Sequence, residues 1–169
     1  MVTHRVDALD PLAVGLSWIG SYGLVWLAVG LALALLRRRP AIFLATALAT
    51  LGADALATAL KYAIGRDRPY VDRPLPEPLL TAQLDLALPS GHAATSFAGA
   101  TVLTLLVPRL GPALYALAVA ISLSRVYVGV HFPLDVVAGA VLGVAVGWAV
   151  ALLARRGRAA RRPAGAARM

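Results

Sequence analysis

Five long apolar runs constrain the fold of this chain more than any other feature of its sequence. A transmembrane helix needs about 20 mostly apolar residues, and each run is close to that length. The runs cover about 18–36, 41–64, 91–107, 112–130 and 133–154. The sequence therefore predicts an all-α, polytopic transmembrane helical bundle with about five spans.

The segment before the first run is less apolar and contains Arg5, Asp7 and Asp10. This pattern favours a short helix that lies at the membrane interface. The two acids do not fit the basic start of a cleaved signal peptide. We therefore expect an N-terminal interfacial segment over 1–17, a transmembrane domain over 18–154 and a basic tail over 155–169.

The composition excludes the soluble classes. Hydrophobic residues make up 60% of the chain and charged residues only 14%, whereas a soluble domain carries about 25% charged residues. The chain has no cysteine, which removes disulfides, thiolate nucleophiles and cysteine-based metal sites. The net charge of +8 would suit a nucleic-acid binder, but the positions of the charges favour another explanation.

The basic residues are sorted between the two sides of the five-span arrangement. The loops at 37–39 and 109 and the tail beyond 154 hold ten basic residues and no acid. The positive-inside rule places this side and the C-terminus in the cytoplasm and the N-terminus outside. We expect a multi-pass protein of the inner (plasma) membrane. The tail is interpreted as a topology signal that contacts anionic membrane lipids, not nucleic acid.

Three polar clusters lie at the ends of spans that this arrangement places outside. The first closes the second run over 61–69, the second opens the third run over 89–92, and the third joins the last two runs over 124–135. Their convergence on one side suggests a shared site.

Three cations belong to these clusters: Lys61, Arg68 and Arg125. Arginine offers planar bidentate donors and lysine a point charge, so together they suit a dianionic phosphoryl group. Ser90 is placed as a helix N-cap, and Gly91 allows close approach of the backbone. The N–H groups of that helix end would point at an anion.

Two histidines and an aspartate complete the set. His92 falls in the first turn of the helix that Ser90 caps. His131 and Asp135 are four residues apart, so the carboxylate can reach one ring nitrogen and leave the other to attack or to accept a proton. Each residue alone has an ordinary structural explanation, such as a snorkelling arginine. Their convergence favours a catalytic site.

These residues resemble the three-part signature of the type-2 phosphatidic acid phosphatase family, whose fold is shared with vanadium-dependent haloperoxidases. The signature reads K-x6-RP, then PSGH, then SR-x5-H-x3-D. The chain matches it at Lys61 to Pro69, at Pro89 to His92, and at Ser124, Arg125, His131 and Asp135. All three parts are complete and in order. Members commonly have six spans, and here the weak segment 1–17 stands in place of the first.

The resemblance implies a role for each residue. His131 is the nucleophile that forms a phosphohistidine, Asp135 orients it, and His92 protonates the leaving group and then activates water. The phosphate is bound by Lys61, Arg68, Ser90, Gly91 and Arg125. Neither a metal nor a cofactor is implied. The expected substrate is a lipid phosphate or diphosphate: a polyprenyl diphosphate, a polyprenyl-linked phosphosugar, phosphatidylglycerophosphate or phosphatidic acid.

Two alternatives remain open. A lipid phosphotransferase would use the same phosphohistidine but pass the phosphoryl group to an acceptor other than water. A non-enzymatic membrane anion-binding protein would carry polar residues along several spans, whereas here they cluster at one end.

Two further features have no role in the signature. The Pro-rich segment 70–88 is expected to be extended and irregular; it is either a connector or a rim over the phosphate site. Asp54 is an acid inside the second run, about two turns before Lys61. We expect it to pair with a polar partner inside the bundle, such as Arg125.

Overall fold

The computed structural model describes residues 5–72, 77–80 and 85–160, and these ranges contain helices and no strand. The predicted all-α class is confirmed. The helices are α1 (Asp10–Ile19), α2 (Leu24–Leu36), α3 (Pro40–Ile64), α4 (Pro69–Asp72), α5 (Gly91–Leu106), α6 (Gly111–Tyr127) and α7 (Pro133–Ala160). Short 3-10 turns lie at Asp7–Leu9, Ser21–Gly23 and Pro108–Leu110.

Helix α5 is the centre of the bundle and packs against α3, α6 and α7. Its buried residues include Thr95, Ser96 and Thr101 as well as alanines and Leu103. A helix that is buried on all sides needs no apolar stripe. This position explains why α5 carries small and polar residues where a lipid-facing helix would carry leucines.

A row of glycines lets α7 approach α5 closely. A Cβ atom at Gly139, Gly143 or Gly147 would lie 2.4, 2.3 or 2.7 Å from a backbone oxygen of α5 or of its N-cap. Those oxygens belong to Ser90, Ala94 and Ala98. Any side chain at these three positions would push the helices apart, so the glycines bring the two backbones into direct contact.

The predicted first span is interrupted in the structure. Helix α1 ends at Ile19 and α2 begins at Leu24. Between them Tyr22 and Gly23 adopt positive φ angles of 53° and 68°, and the two helical stretches are bent by 50°. The 3-10 turn and its left-handed residues redirect the chain, a change that an uninterrupted apolar run does not reveal.

Helix α1, which begins in the segment expected to lie at the membrane interface, packs against α6. The interfacial position of this segment stays a prediction. The Tyr127 hydroxyl donates to the Asp10 carboxylate at 2.8 Å and accepts from the Val6 N–H at 3.1 Å. These contacts hold the start of α1 beside the end of α6, and near the other end of α1 the side chain of Ser17 is buried.

Within the described ranges, three helical stretches are long and apolar enough to cross a membrane: Pro40–Val71, Pro108–Tyr127 and Pro133–Arg156. The bent pair Asp7–Ile19 and Ser21–Leu36 would make a fourth if it counts as one span. Helix α5, expected as a further span, has only 16 residues, a length of about 24 Å. The count of five spans stays a prediction.

Helix direction brings the three polar clusters to one end of the bundle. α3 and α6 run towards this end, and α5 and α7 start from it. At the opposite end, the Arg155 guanidinium donates to the Leu105 carbonyl at 3.3 Å.

Candidate active site

A cavity of about 510 Å³ lies at the end of the bundle where the polar clusters meet. It contains five of the predicted site residues and six that belong to other parts of the chain. Its lining consists of Ser21, Tyr22, Asp54, Thr58, Lys61, Arg68, Asp85, Gly91, His92, Thr95 and His131. The other predicted residues, Ser90, Arg125 and Asp135, are buried.

His131 lies in the connection between α6 and α7 and is only 3% exposed. Its Nε2 atom is 3.4 Å from Nη1 of Arg68, and its Nδ1 atom is 3.6 Å from Oδ2 of Asp135. The second distance is too long for a hydrogen bond, and Nδ1 has no hydrogen-bond partner among the described residues. The ring therefore turns Nε2 towards the cations and Nδ1 towards the carboxylate.

The electrostatic surroundings keep His131 neutral. Burial lowers the pKa of His131 to about 4, the charges of Arg68, Arg125 and Lys61 act in the same direction, and Asp135 opposes them. A neutral imidazole that carries its proton on Nδ1, beside Asp135, has a lone pair on Nε2. This is the form that a nucleophile requires.

Asp135 is completely buried, and its hydrogen bonds connect it to several parts of the site. Its Oδ2 atom accepts from the Phe132 N–H at 2.8 Å, and its Oδ1 atom accepts from Nη1 of Arg66 at 3.0 Å. Its backbone carbonyl accepts from the Ser90 N–H at 2.9 Å. The last bond joins the start of α7 to the N-cap of α5, so the predicted orienting acid and the predicted phosphate-binding helix end are connected directly.

Lys61 and Arg68 are buried and share one counter-ion. The ammonium group of Lys61 contacts one carboxylate oxygen of Asp85, and the guanidinium of Arg68 contacts the other. Arg68 also donates to the backbone carbonyls of Asp85 at 2.8 Å and of Val130 at 3.0 Å. Two cations are thus fixed about one anionic position.

Asp85 keeps its negative charge at this position. Burial alone would raise the pKa of its carboxyl, but the hydrogen bond from Lys61 and the charge of Arg68 outweigh that effect and lower it. The Asp85 side chain is 44% exposed. Its carboxylate lies between the side chains of Lys61 and Arg68.

The end of α1 supplies polar contacts to Arg125 and His92. The guanidinium of Arg125 contacts the Ser17 hydroxyl. Nε2 of His92 lies 3.2 Å from the Ser17 carbonyl oxygen and 3.5 Å from the Ser21 hydroxyl. In the sequence, the only signal of this arrangement is a pair of serines at the boundary of an apolar run.

The N-terminus of α5 forms as predicted. The Ser90 hydroxyl accepts from the Ala93 N–H at 3.5 Å, which is the bond of a helix N-cap. Gly91 lies in the cavity wall, where an added Cβ would be 3.5 Å from Oδ1 of Asp54.

Asp54 lines the same cavity, and the charges of Lys61 and Asp85 act on it. Its pairing with Arg125 stays a prediction.

The segment 70–88 contacts the site through its described parts. The sequence predicted an extended and irregular segment, but its start is helical in α4. The Leu79 N–H donates to the Val128 carbonyl at 3.0 Å, and Asp85 pairs with the cations. Pro74 and Pro76 lie outside the described residues. A role of the whole segment as a rim stays a prediction.

The chain belongs to the PAP2 superfamily, whose family model matches residues 23–158. The predicted transmembrane class and the resemblance to the type-2 phosphatidic acid phosphatases are confirmed.

Individual relatives agree with this assignment. The chain is 37% identical over 142 residues to the undecaprenyl-diphosphatase of Sulfolobus acidocaldarius, covering 83% of this chain and 68% of that protein. It is 37% identical over 148 residues to the decaprenylphosphoryl-5-phosphoribose phosphatase of Mycobacterium tuberculosis, covering 84% and 80%. The crystal structure of LpxE from Aquifex aeolicus is similar, with a TM-score of 0.73, 30% identity, and coverage of 86% of this chain and 87% of that one.

Proposed function

We propose that this protein is a membrane lipid phosphatase that hydrolyses a lipid phosphate or diphosphate through a phosphohistidine intermediate. One observation carries the proposal. The buried imidazole of His131 turns Nε2 towards the guanidinium of Arg68, while Asp135 lies beside Nδ1. This arrangement supports a nucleophile that faces a cation and has its orienting acid on the opposite side of the ring.

The first step forms a bond between Nε2 of His131 and the phosphorus atom and breaks the bond from phosphorus to the leaving oxygen. His92 gives a proton to that oxygen, and Asp135 balances the positive charge that develops on the His131 ring. In the second step a water molecule gives a proton to His92 and attacks phosphorus, which breaks the N–P bond and releases phosphate.

The cations and the N-terminus of α5 stabilise the charge on the transferring group. That charge spreads over three equatorial oxygens, so fixed positive groups lower the barrier. Lys61, Arg68 and Arg125, with the Ser90 hydroxyl and the Gly91 N–H, are assigned to this role. We propose that these groups suffice for a metal-independent reaction.

We propose a polyprenyl-linked phosphate or diphosphate as the substrate. The two relatives described above are named for an undecaprenyl diphosphate and a decaprenyl-linked phosphosugar. Phosphatidylglycerophosphate and phosphatidic acid carry the same phosphoryl chemistry and belong in the same test.

We further propose that the site faces outward in the plasma membrane and that the C-terminus is cytoplasmic. The support is the distribution of charge. The cavity lies at one end of the bundle, and the acid-free basic segments at 37–39, 109 and 155–156 lie at the other. The positive-inside rule assigns that basic end to the cytoplasm.

The test is phosphate release in detergent from the four lipid substrates, with EDTA present. We expect release by the wild type and none by His131→Ala, with a Tyr62→Phe variant on the exposed face of α3 as the control. Release that survives His131→Ala contradicts the mechanism. A phosphorylated acceptor in place of free phosphate indicates a phosphotransferase. No reaction from folded wild type rejects the enzymatic proposal.

A further inference from the structure

The side chain of Arg66 lies behind the candidate nucleophile and not in the cavity. Its Nη1 atom donates to Oδ1 of Asp135 at 3.0 Å, and Asp135 is wholly buried. A buried carboxylate is costly unless it is paired and hydrogen-bonded. Arg66 supplies that pairing from outside the three-part signature.

The position of Arg66 is itself determined by its neighbours. Its guanidinium carbon lies 4.5 Å from the centre of the Phe132 ring, a cation–π distance. Its backbone carbonyl accepts from the Ala87 N–H at 2.8 Å. Phe132 thus stacks on the cation and also donates its own N–H to the other oxygen of Asp135. The carboxylate is held between two donors whose relative position this stacking fixes.

The hydrogen bonds to Asp135 matter because its contact with His131 is long. Nδ1 of His131 and Oδ2 of Asp135 are 3.6 Å apart, so no short bond between them sets the angle of the ring. The orientation of the carboxylate must therefore come from its other partners. Without Arg66, Oδ1 of Asp135 would lose the hydrogen bond from Nη1. The hydrogen bond from the Phe132 N–H to Oδ2 would remain, and the carboxylate could rotate about it.

We propose that Arg66 is a positioning residue for the reaction: it fixes Asp135, and through Asp135 it directs Nε2 of His131 at the phosphoryl group. The proposal rests on the proposed phosphatase function. The role proposed for Arg66 differs from that of Lys61 and Arg68, whose side chains line the cavity. Arg66 acts on the rate of phosphoryl transfer and leaves phosphate binding unchanged.

The experiment compares Arg66→Gln, Arg66→Lys and Arg109→Gln in the full chain. Arg109→Gln makes the same chemical change at an exposed position on the opposite end of the bundle. Arg66→Gln should lower kcat by about 10- to 100-fold, the usual loss when a supporting hydrogen bond behind a reactive group is removed. KM and the inhibition constant of inorganic phosphate should stay within about twofold of wild type. Arg66→Lys, which keeps a charged donor, should recover part of kcat.

Two activity results overturn the proposal while leaving the phosphatase function intact. One is an unchanged kcat in Arg66→Gln when His131→Ala is inactive. The other is a rise in KM and in the phosphate inhibition constant that matches the fall in kcat, because Arg66 would then bind phosphate directly.

Thermal unfolding tests the link between Arg66 and Asp135 even if the wild type releases no phosphate. Arg66→Gln should lower Tm in the wild-type background and have little further effect in Asp135→Asn, since the two residues act as a pair. Equal decreases in both backgrounds overturn the linkage between Arg66 and Asp135.

Discussion

The two sides of the cavity are built differently. On the His131 side, Asp135 is held by Phe132, Arg66 and Ser90, and its side chain is fully buried. On the other side, Lys61 and Arg68 meet a carboxylate whose side chain is 44% exposed. The carboxylate on the His131 side is held by buried partners, whereas the carboxylate on the cation side is partly exposed. Under the proposed function, a substrate would have to displace the carboxylate of Asp85.

The difference follows from the cost of burying charge. Two buried cations without an anion would be strongly unfavourable, and Asp85 provides the counter-charge in the free protein. An incoming phosphoryl group would take over the same contacts. Under the proposed function, Asp85 would therefore stabilise the cation side and compete with substrate for it.

The largest expected effect on activity comes from a substitution on the His131 side. Asp135→Asn keeps the size of the side chain but removes its charge, so the His131 ring loses both its orienting acid and its counter-charge. We expect kcat to fall by about 10³- to 10⁴-fold, the range for the orienting acid of a histidine-based site. Steady-state phosphate release measures it, with Asp67→Asn as the exposed control. A fall of less than tenfold would contradict the assigned role.

Breaking the cation side should cost less. Arg68→Gln removes one of several positive groups around the phosphoryl oxygens, and we expect kcat/KM to fall by about 10²- to 10³-fold. Arg68→Lys keeps the charge and should lose less. Saturation kinetics of both variants on the same lipid provide the measurement, and equal losses in the two would show that geometry outweighs charge.

The sequence predicted those features of the site that depend on residues close together in the chain. The helix N-cap at Ser90 and the spacing of His131 and Asp135 are local, and they were predicted. Ser17 enters the site because α1 packs against α6. Asp85 enters it because its carboxylate pairs with Lys61 and Arg68. Arg66 lay inside a recognised cluster, but its partner is 69 residues away. Such contacts depend on tertiary packing, which no short motif encodes.

The pH dependence sharpens the comparison on the nucleophile side. In the proposed mechanism neutral His131 is the reactive form, so kcat/KM should fall as pH drops through the pKa of His131, which is about 4. At pH 5 about 90% of the imidazole would be neutral, against about 3% for an unperturbed histidine. Rates at pH 5 and 7 measure this once they are corrected for the titration of the lipid phosphate, whose second pKa is about 6. A roughly 30-fold loss at pH 5 would show that the His131 site is more polar than the structure indicates.

The smallest expected effect tests the exchange of Asp85. Asp85→Asn removes the competing charge, and we expect KM to fall by about two- to fivefold, in keeping with a partly exposed ion pair. The pKa of Asp85 is lowered below 3.8, so the competition is present at every pH above that value and is lost only as the pH falls through the lowered pKa. The KM ratio of variant to wild type should therefore be constant from pH 5 to 8. A higher KM in the variant would mean that Asp85 helps to bind substrate.

The glycine contacts between α5 and α7 have a consequence for biosynthesis. Helix α5 has 16 residues and buries Thr95, Ser96 and Thr101, so it is a poor candidate for stable insertion into lipid by itself. The surface that covers it, along Gly139, Gly143 and Gly147, is translated later than α5. We therefore expect α5 to settle in the membrane only after α7 has emerged from the ribosome. His92 lies in α5 and His131 lies just before α7, so the two histidines would then reach their final separation in the same late step of insertion.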